Sequence, residues 1–422
     1  MKVSIYTLGC KVNLYESEVI INSFKKKGYE IVDFNDKSDI VIINTCTVTN
    51  TSDKKSRNII RQAIKNNPNA VIVVMGCYSQ VRSDDIKSIP GVNIILGNTN
   101  KSRVVEIVED YIKENKSKNL IENIMKIPFE PMELDSFETK TRAFVKIQDG
   151  CNNFCSYCII PYVRGRVRSK DFNKCIMEIN DLSLSDHKEI VLSGIHTGQY
   201  NSDGKRLSDL INKISENKLI KRIRLSSVEI VELDEGMMNI IKNNESFVSH
   251  LHIPLQAGSD KVLKLMNRRY DTSYFMDKVN EIRKLRPGIS LSTDVIVGFP
   301  GESEEDFVDT LNFCKKVGFS KIHVFPYSDR SGTVASRMKD KVPGNIKKDR
   351  VHRLISLSNE LEHKYYESFI NKEVEVLIEE KKEDYYYGFT SNYIPLKLKG
   401  NYKINELYNI KLNKEDINFD KF

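Results

Sequence analysis

Tryptophan is absent from the 422 residues, and cysteine is sparse at eight. So few cysteines cannot staple a chain of this length, which excludes a disulfide-built scaffold. No apolar run approaches the roughly 18 residues needed to cross a bilayer; Ala70 to Met75 is typical of the longest. No basic-then-apolar leader precedes the first strand-like run at Val3, so no signal peptide is expected. Neither sign of charge dominates, with 65 Lys and Arg against 58 Asp and Glu. That modest +7, beside 40% hydrophobic residues, excludes a disordered chain. The expectation left is a soluble, cytoplasmic, monomeric protein of two or three domains. In a reducing cytosol, clustered cysteines more often bind metal or do chemistry than form disulfides.

The hydrophobic pattern divides the chain. Residues 1–115 alternate short apolar runs with amphipathic stretches: Val3 to Leu8, Asp39 to Thr45, Ala70 to Met75 and Val92 to Leu96. Continuous apolar runs between helices predict a parallel sheet covered on both faces, an α/β domain. Residues 116–136 lack clear periodicity, contain Pro128 and Pro131, and read as a linker. A second α/β series occupies 137–368. Its strand candidates begin at Ala143, Glu189, Arg222, His250, Leu291 and Lys321. Six βα units predict a partial TIM barrel, whose working residues sit at the C-terminal strand ends. Short alternating runs over 369–422 predict a small OB-like β-barrel.

Cys151, Cys155 and Cys158 form C-x-x-x-C-x-x-C directly after the first barrel strand. Thiolates this close can ligate one iron–sulfur cluster. Only three are local, which leaves one iron of a cubane open, as a catalytic zinc keeps an open position. A zinc knuckle is the competing reading, but no second C-x-x-C pair accompanies it. Cys10, Cys46 and Cys77 each follow a strand candidate of the first domain. Strand C-termini line one edge of a parallel sheet, where ligands bind, so these thiols are a second candidate metal set. A lone cysteine at a strand end is more often a buried small hydrophobe; three at equivalent positions favour a site. Cys175 and Cys314, in helical stretches, read as packed core thiols.

The segment Thr7-Leu8-Gly9-Cys10-Lys11-Val12-Asn13 and the run from Phe144 through Asp149-Gly150-Cys151 to Cys158 resemble the radical-SAM methylthiotransferases. The likeness continues through Ile160-Pro161-Tyr162, His252 to Gln256, and Thr293 to Glu302. It spans essentially the whole chain in the same domain order. The Leu-Gly-Cys-Lys-Val-Asn start resembles the MtaB branch, which modifies threonylcarbamoyladenosine in tRNA, 3′ of the anticodon. The resemblance implies that Cys151, Cys155 and Cys158 hold a [4Fe–4S] cluster that binds S-adenosylmethionine. It also implies a second [4Fe–4S] cluster on Cys10, Cys46 and Cys77. A 5′-deoxyadenosyl radical suits the target, because the adenine C2–H bond offers little purchase to acids or nucleophiles. The partners implied are tRNA, a reductive electron donor and a sulfur donor whose source the sequence does not reveal. The alternatives are the sister enzyme acting on isopentenyladenosine, one acting on a ribosomal-protein aspartate, and a non-catalytic iron–sulfur RNA-binding protein.

Other strand-end residues are expected at the cofactor: Gly194, Ser227, Glu229, Gln256 and Asp294. For each the competing reading is ordinary loop or packing duty. His252 reads as a hydrogen-bonded core residue. No G-x-G-x-x-G follows the first strand, and the glycine run ending Gly204-Lys205-Arg206 fails the P-loop pattern. Arg164, Arg166, Arg168 and Lys170 alternate with no acid among them, a stripe suited to an RNA backbone. The C-terminal region resembles the family's TRAM domain, which implies tRNA binding. There Lys397, Lys399 and Lys403 lie among aromatics without acids, a composition that can stack on bases and track phosphates.

Overall fold

A computed structural model describes residues 1–134, 136–137 and 141–419. The expected C-terminal bound at 422 lies outside the described residues. The first domain is a six-stranded parallel sheet of β1 (Lys2–Thr7), β2 (Glu30–Ile31), β3 (Ile40–Thr45), β4 (Val71–Gly76), β5 (Ile94–Leu96) and β6 (Lys118–Leu120), in the order β2-β1-β3-β4-β5-β6. Alternate side chains serve different cores. Ile40, Ile42, Val73 and Met75 join the large core continuous with the next domain. Val41, Ile43, Ile72 and Val74 pack instead against Ile60 and Ala63. These two residues belong to α2 (Asn50–Asn66), while α1 (Lys11–Lys26) covers the inner face with Tyr15, Val19 and Phe24. This two-sided burial is why the strands read as unbroken apolar runs.

β6 corrects one expectation. It lies in the stretch read as a linker, yet pairs with β5 through Ile94↔Lys118 and Leu96↔Leu120. A three-residue edge strand carrying Lys and Asn has too little pattern to be seen in sequence.

The second domain contributes β7 (Ala143–Lys146), a small ribbon of β8 (Gln148–Asp149) with β9 (Arg168–Ser169), then β10 (Glu189–Ser193), a hairpin of β11 (Asn201–Ser202) and β12 (Lys205–Arg206), β13 (Arg222–Leu225), β14 (His250–His252), β15 (Ser290–Val297) and β16 (Lys321–Pro326). Parallel pairing links β7-β10-β13 and β14-β15-β16, and an Ile223↔Phe247 bridge joins the two halves. The six parallel strands form the expected open barrel. The C-terminal unit is an antiparallel sheet of β17 (Glu373–Lys382), β18 (Tyr385–Thr390), β19 (Pro395–Lys399) and β20 (Leu407–Lys411), ordered β19-β18-β17-β20. It has its own core around Val376, Ile378, Leu396 and Leu412. Arg222, at the start of β13, anchors it by donating to Phe389 O at 2.9 Å and Glu375 O at 2.7 Å. The sheet therefore sits at the N-terminal end of the barrel strands, opposite the loop that carries Cys151. No helix among the described residues is long and apolar enough to cross a membrane.

Candidate active site: two cysteine triads and the barrel cavity

Cys10, Cys46 and Cys77 directly follow, or within a short loop follow, the ends of the adjacent strands β1, β3 and β4. Topology thus brings together thiols that are distant in sequence. Two glycines make the close approach possible. Gly76 has φ +101°, and a Cβ there would lie 2.7 Å from Thr45 O. Gly9 has φ +108°, with the place of its Cβ 3.2 Å from Cys46 Sγ. Asn13, in the first turn of α1, donates to Leu8 O at 2.7 Å and Thr45 O at 3.1 Å, fixing the Cys10 and Cys46 loops against each other. Cys10 is the N-cap of the 16-residue α1, so a thiolate there meets the positive end of the helix. Burial pushes the Cys46 thiol up, so ionisation there calls for a metal's charge.

Behind this triad lies a buried ion network. Glu16 of α1 accepts from Lys146 Nζ at 2.7 Å, from Arg164 Nη1 at 2.6 Å, and from Lys101. Burial alone would raise its carboxyl, but Arg164, Lys101 and Lys146 outweigh that and hold it well below the usual range. Arg164 also donates through Nε to Cys77 Sγ at 3.3 Å and through Nη1 to Asp149 at 3.3 Å. A residue of the barrel domain therefore touches a thiol of the first domain. Asn13, Glu16, Lys101 and Lys146 were not singled out from the sequence. Their partners are far apart in the chain, and only Asn13, inside the Cys10 motif, and Lys146, inside the Cys151 motif, offered a signal.

The local triad follows β8. Cys151 N donates to Gly165 O at 3.0 Å, and its Sγ lies 3.5 Å from His196 Nδ1. His196 Nε2 is 2.6 Å from Glu232. Burial works against protonation of this imidazole, but its bonds to Cys151 and Glu232 raise it to about 10. Cys155 Sγ accepts from Arg268 Nη1 at 3.3 Å, and Arg268 is ion-paired with Glu229. Cys158 is pushed up to about 12, chiefly by burial and then by Cys155. These thiols would ionise on binding iron, with an arginine and a histidine ready to answer the thiolates. All eight cysteines are unbridged. Among the described residues no three His, Cys, Asp or Glu side chains close on a single metal ion. A cubane differs from that arrangement because each thiolate takes a separate iron, so the two three-thiol donor sets fit the group. Cys175 and Cys314 are packed in the core.

A cavity of about 800 Å³ inside the barrel is lined by Cys10, Gly194, Asp294 and Tyr393 of the C-terminal sheet, among others. Gly194, Ser227 and Asp294 lie on its wall. A Cβ on Gly194 would come within 2.9 Å of Gln148 Oε1. Glu229 lies away from this wall, against Arg268 beside Cys155. Gln256 has φ +68° and extends the sheet by backbone bonds, its N–H donating to Asp294 O at 2.8 Å. His252 is hydrogen-bonded as expected, with Ser292 Oγ at 2.9 Å and Asp294 at 3.3 Å, but it faces the cavity rather than the core.

The arginine stripe is corrected. Arg164 is fully buried in the Glu16 network, and Lys170 is buried against Glu178. Arg168 is mostly covered, 3.5 Å from Asp149 and 3.3 Å from Ile124 O. Arg166 is exposed, over the Phe154 ring at 4.6 Å. The reading failed because Gly165, at φ +75°, breaks the extended run, and because the balancing acids come from elsewhere in the chain. On the C-terminal sheet, Lys397 and Lys399 pair across strands with Tyr387 and Tyr385. Lys397 Nζ stands 4.0 Å from the Tyr385 ring centre. Lys403 is exposed beside Glu406.

Comparison with solved structures places the fold in the radical S-adenosylmethionine class. The radical S-adenosylmethionine methyltransferase TsrM from Kitasatospora setae aligns with TM-score 0.58 at 14% identity, over 79% of this chain and 77% of that one. A model described as the Radical SAM superfamily matches residues 145–314, and one described as Uncharacterized protein family UPF0004 matches residues 2–97. The threonylcarbamoyladenosine tRNA methylthiotransferase MtaB of Bacillus subtilis is 45% identical over 410 residues, covering 94% of this chain and 90% of that protein. A tRNA-2-methylthio-N(6)-dimethylallyladenosine synthase of Clostridium perfringens is 36% identical over 427 residues, covering 97% and 94%. The chain belongs to the MtaB family of threonylcarbamoyladenosine tRNA methylthiotransferases.

Proposed function

We propose that the protein attaches a methylthio group to C2 of N6-threonylcarbamoyladenosine in tRNA, at the base 3′ of the anticodon. One observation carries this beyond kinship: Cys10 of one triad opens on the cavity of the barrel whose strand-end loop bears the other triad. Cys151, Cys155 and Cys158 would hold a [4Fe–4S] cluster with one iron left for S-adenosylmethionine. Cys10, Cys46 and Cys77 would hold the second [4Fe–4S] cluster. When bound, these groups supply a 5′-deoxyadenosyl radical for hydrogen abstraction, together with sulfur and methyl transfer.

The chain's own residues bind, orient and exclude water. Arg268 and His196 each bring a nitrogen to a thiol of the radical site. Gly194 keeps the wall clear where a side chain would crowd Gln148, and Ser227 and Asp294 offer polar contacts to the cofactor. Glu229 positions Arg268. The Tyr385, Tyr387, Lys397 and Lys399 face suits RNA, combining stacking rings with backbone-tracking cations. Exposed Lys403 adds to that electrostatic footprint, and exposed Arg166 is a separate cation beside the Cys151 loop. The enzyme works as a cytoplasmic monomer served by separate electron and sulfur donors.

Nucleoside mass spectrometry of tRNA from a deletion strain lacking a second copy tests this reading. The expected result is loss of 2-methylthio-threonylcarbamoyladenosine with its unthiolated precursor retained. Persistence of the methylthio nucleoside sinks the assignment. Loss of methylthio-isopentenyladenosine instead, or of methylthio-aspartate from a ribosomal protein, moves it to that sister reaction.

A further inference from the structure

The end of the cavity beneath the C-terminal sheet carries more positive charge than its neighbours answer. Arg224, on β13, is 1% exposed and lies on the cavity wall. Its Nε donates to Glu189 at 2.6 Å, and its Nη2 reaches Glu189 and Ser391 O at 3.5 Å. Its Nη1 finds no acceptor among the described residues. A buried guanidinium edge without an acceptor is costly, and on a cavity wall it is a donor that a ligand can complete. Lys11, next to Cys10, lines the same cavity. Its ammonium rests 5.9 Å from the Phe144 ring centre and has no carboxylate partner among the described residues. The acids on the wall are already engaged: Asp294 with His252 at 3.3 Å, and Glu362 with Lys321 at 3.0 Å. Glu189 is shared by Arg224 and Arg222. Tyr393 closes this end, with Arg224 4.5 Å and Arg142 5.4 Å from its ring centre. The pocket end is therefore aromatic and cationic, and its open donors are a guanidinium edge and an ammonium.

We propose that Arg224 and Lys11 select the substrate by gripping the carboxylate on the threonylcarbamoyl arm, Arg224 through its Nη1 edge and Lys11 through its ammonium. The proposal rests on the activity proposed above and assigns the groups that read its substrate. A guanidinium edge is the natural partner of a carboxylate. An isopentenyl arm would leave both cations unanswered, and a site built around buried polar donors rejects an isostere that cannot bond to them. The volume of about 800 Å³ falls within the range of small-molecule pockets.

The test uses anaerobically reconstituted full-length enzyme and two anticodon stem-loop RNAs. One carries threonylcarbamoyladenosine, and the other carries the primary amide of the same arm. For the unaltered enzyme, KM for the amide RNA is expected to exceed that for the acid by about 30-fold. Lys11→Met should shrink that ratio to about threefold, with iron content unchanged. Arg224→Gln should do the same. It also removes the partner of Glu189, so if it melts early Lys11→Met carries the test. Equal use of acid and amide by the unaltered enzyme overturns the selection while leaving the activity standing. So does a Lys11→Met variant that raises KM for both RNAs alike, which is what a phosphate contact or a merely structural role would produce. If the reconstituted enzyme methylthiolates neither RNA, the activity reading falls and the selection with it.

Discussion

The two triads each present three thiols, on opposite kinds of scaffold. Cys151, Cys155 and Cys158 sit in one short loop, so their convergence is local. Cys10, Cys46 and Cys77 come from three separate strand ends and are united only by the strand order β1-β3-β4. The supporting groups differ in the same sense. Arg268 and His196, which touch the local triad, belong to the barrel that carries it. Arg164, which touches Cys77, reaches across from the other domain. A dispersed site inherits every error in its sheet and its domain interface, whereas a local one depends mainly on its own loop.

The largest expected effect comes from the network that joins the two regions. Glu16→Ala removes the carboxylate shared by Lys101, Lys146 and Arg164. Asp149 remains for Lys146 at 2.6 Å and Arg164 at 3.3 Å, but Lys101 keeps only Asn98 Oδ1 at 3.0 Å. An unanswered buried charge costs about 3–5 kcal/mol. Urea melts should show that loss, and adding Lys101→Met should recover much of it. An unchanged midpoint in Glu16→Ala would falsify the claim that this network holds the domains together.

A smaller effect separates the triads. Gly76→Ala places a Cβ 2.6 Å from Asn44 Oδ1 and 2.7 Å from Thr45 O, at a φ few side chains accept. The dispersed site should lose its iron while the local loop keeps its own. Iron analysis is then expected to fall from about eight to about four per chain, with S-adenosylmethionine cleavage continuing. Retention of the full iron content would show that the sheet edge is softer than its geometry implies.

The same contrast governs what was legible in the sequence. The unbroken run Ile40-Val41-Ile42-Ile43 announced a strand buried on both faces, because both cores draw on it. The local triad announced itself by spacing. The dispersed triad was visible only as a repeated position, cysteine after strand, that a parallel sheet turns into an edge. The Arg164 environment was illegible. Its acids are Glu16, from another domain, and Asp149, on β8, and no short window around the Arg-Gly-Arg-Val-Arg run contains either. Locally that run is a basic stripe; in the fold, Arg164 is part of a neutralised interior. β6 was missed for a related reason, since an edge strand carries its pattern in pairing rather than in apolar residues.

The finest test asks whether each triad answers to its own arginine. Arg164→Lys keeps a cation for Glu16 but loses the fork that reaches Cys77. Arg268→Lys keeps a cation for Glu229 but loses the donor to Cys155. Hydrogen bonds to cluster sulfurs favour the reduced, more negative state. Each variant should therefore lower the potential of one cluster by about 60 mV, the one-electron equivalent of a tenfold change in preference. Redox titration followed by electron paramagnetic resonance reads the two signals separately once Cys10→Ala and Cys155→Ala have assigned them. Arg164→Lys should move only the cluster on Cys10, Cys46 and Cys77, and Arg268→Lys only the other. Because Arg164 stands in the barrel domain while its thiol stands in the sheet domain, a shift confined to the sheet-edge cluster means that docking of the two domains tunes that site. If both signals move together in either variant, the triads share one electrostatic environment and the contrast between local and dispersed sites ends at their geometry.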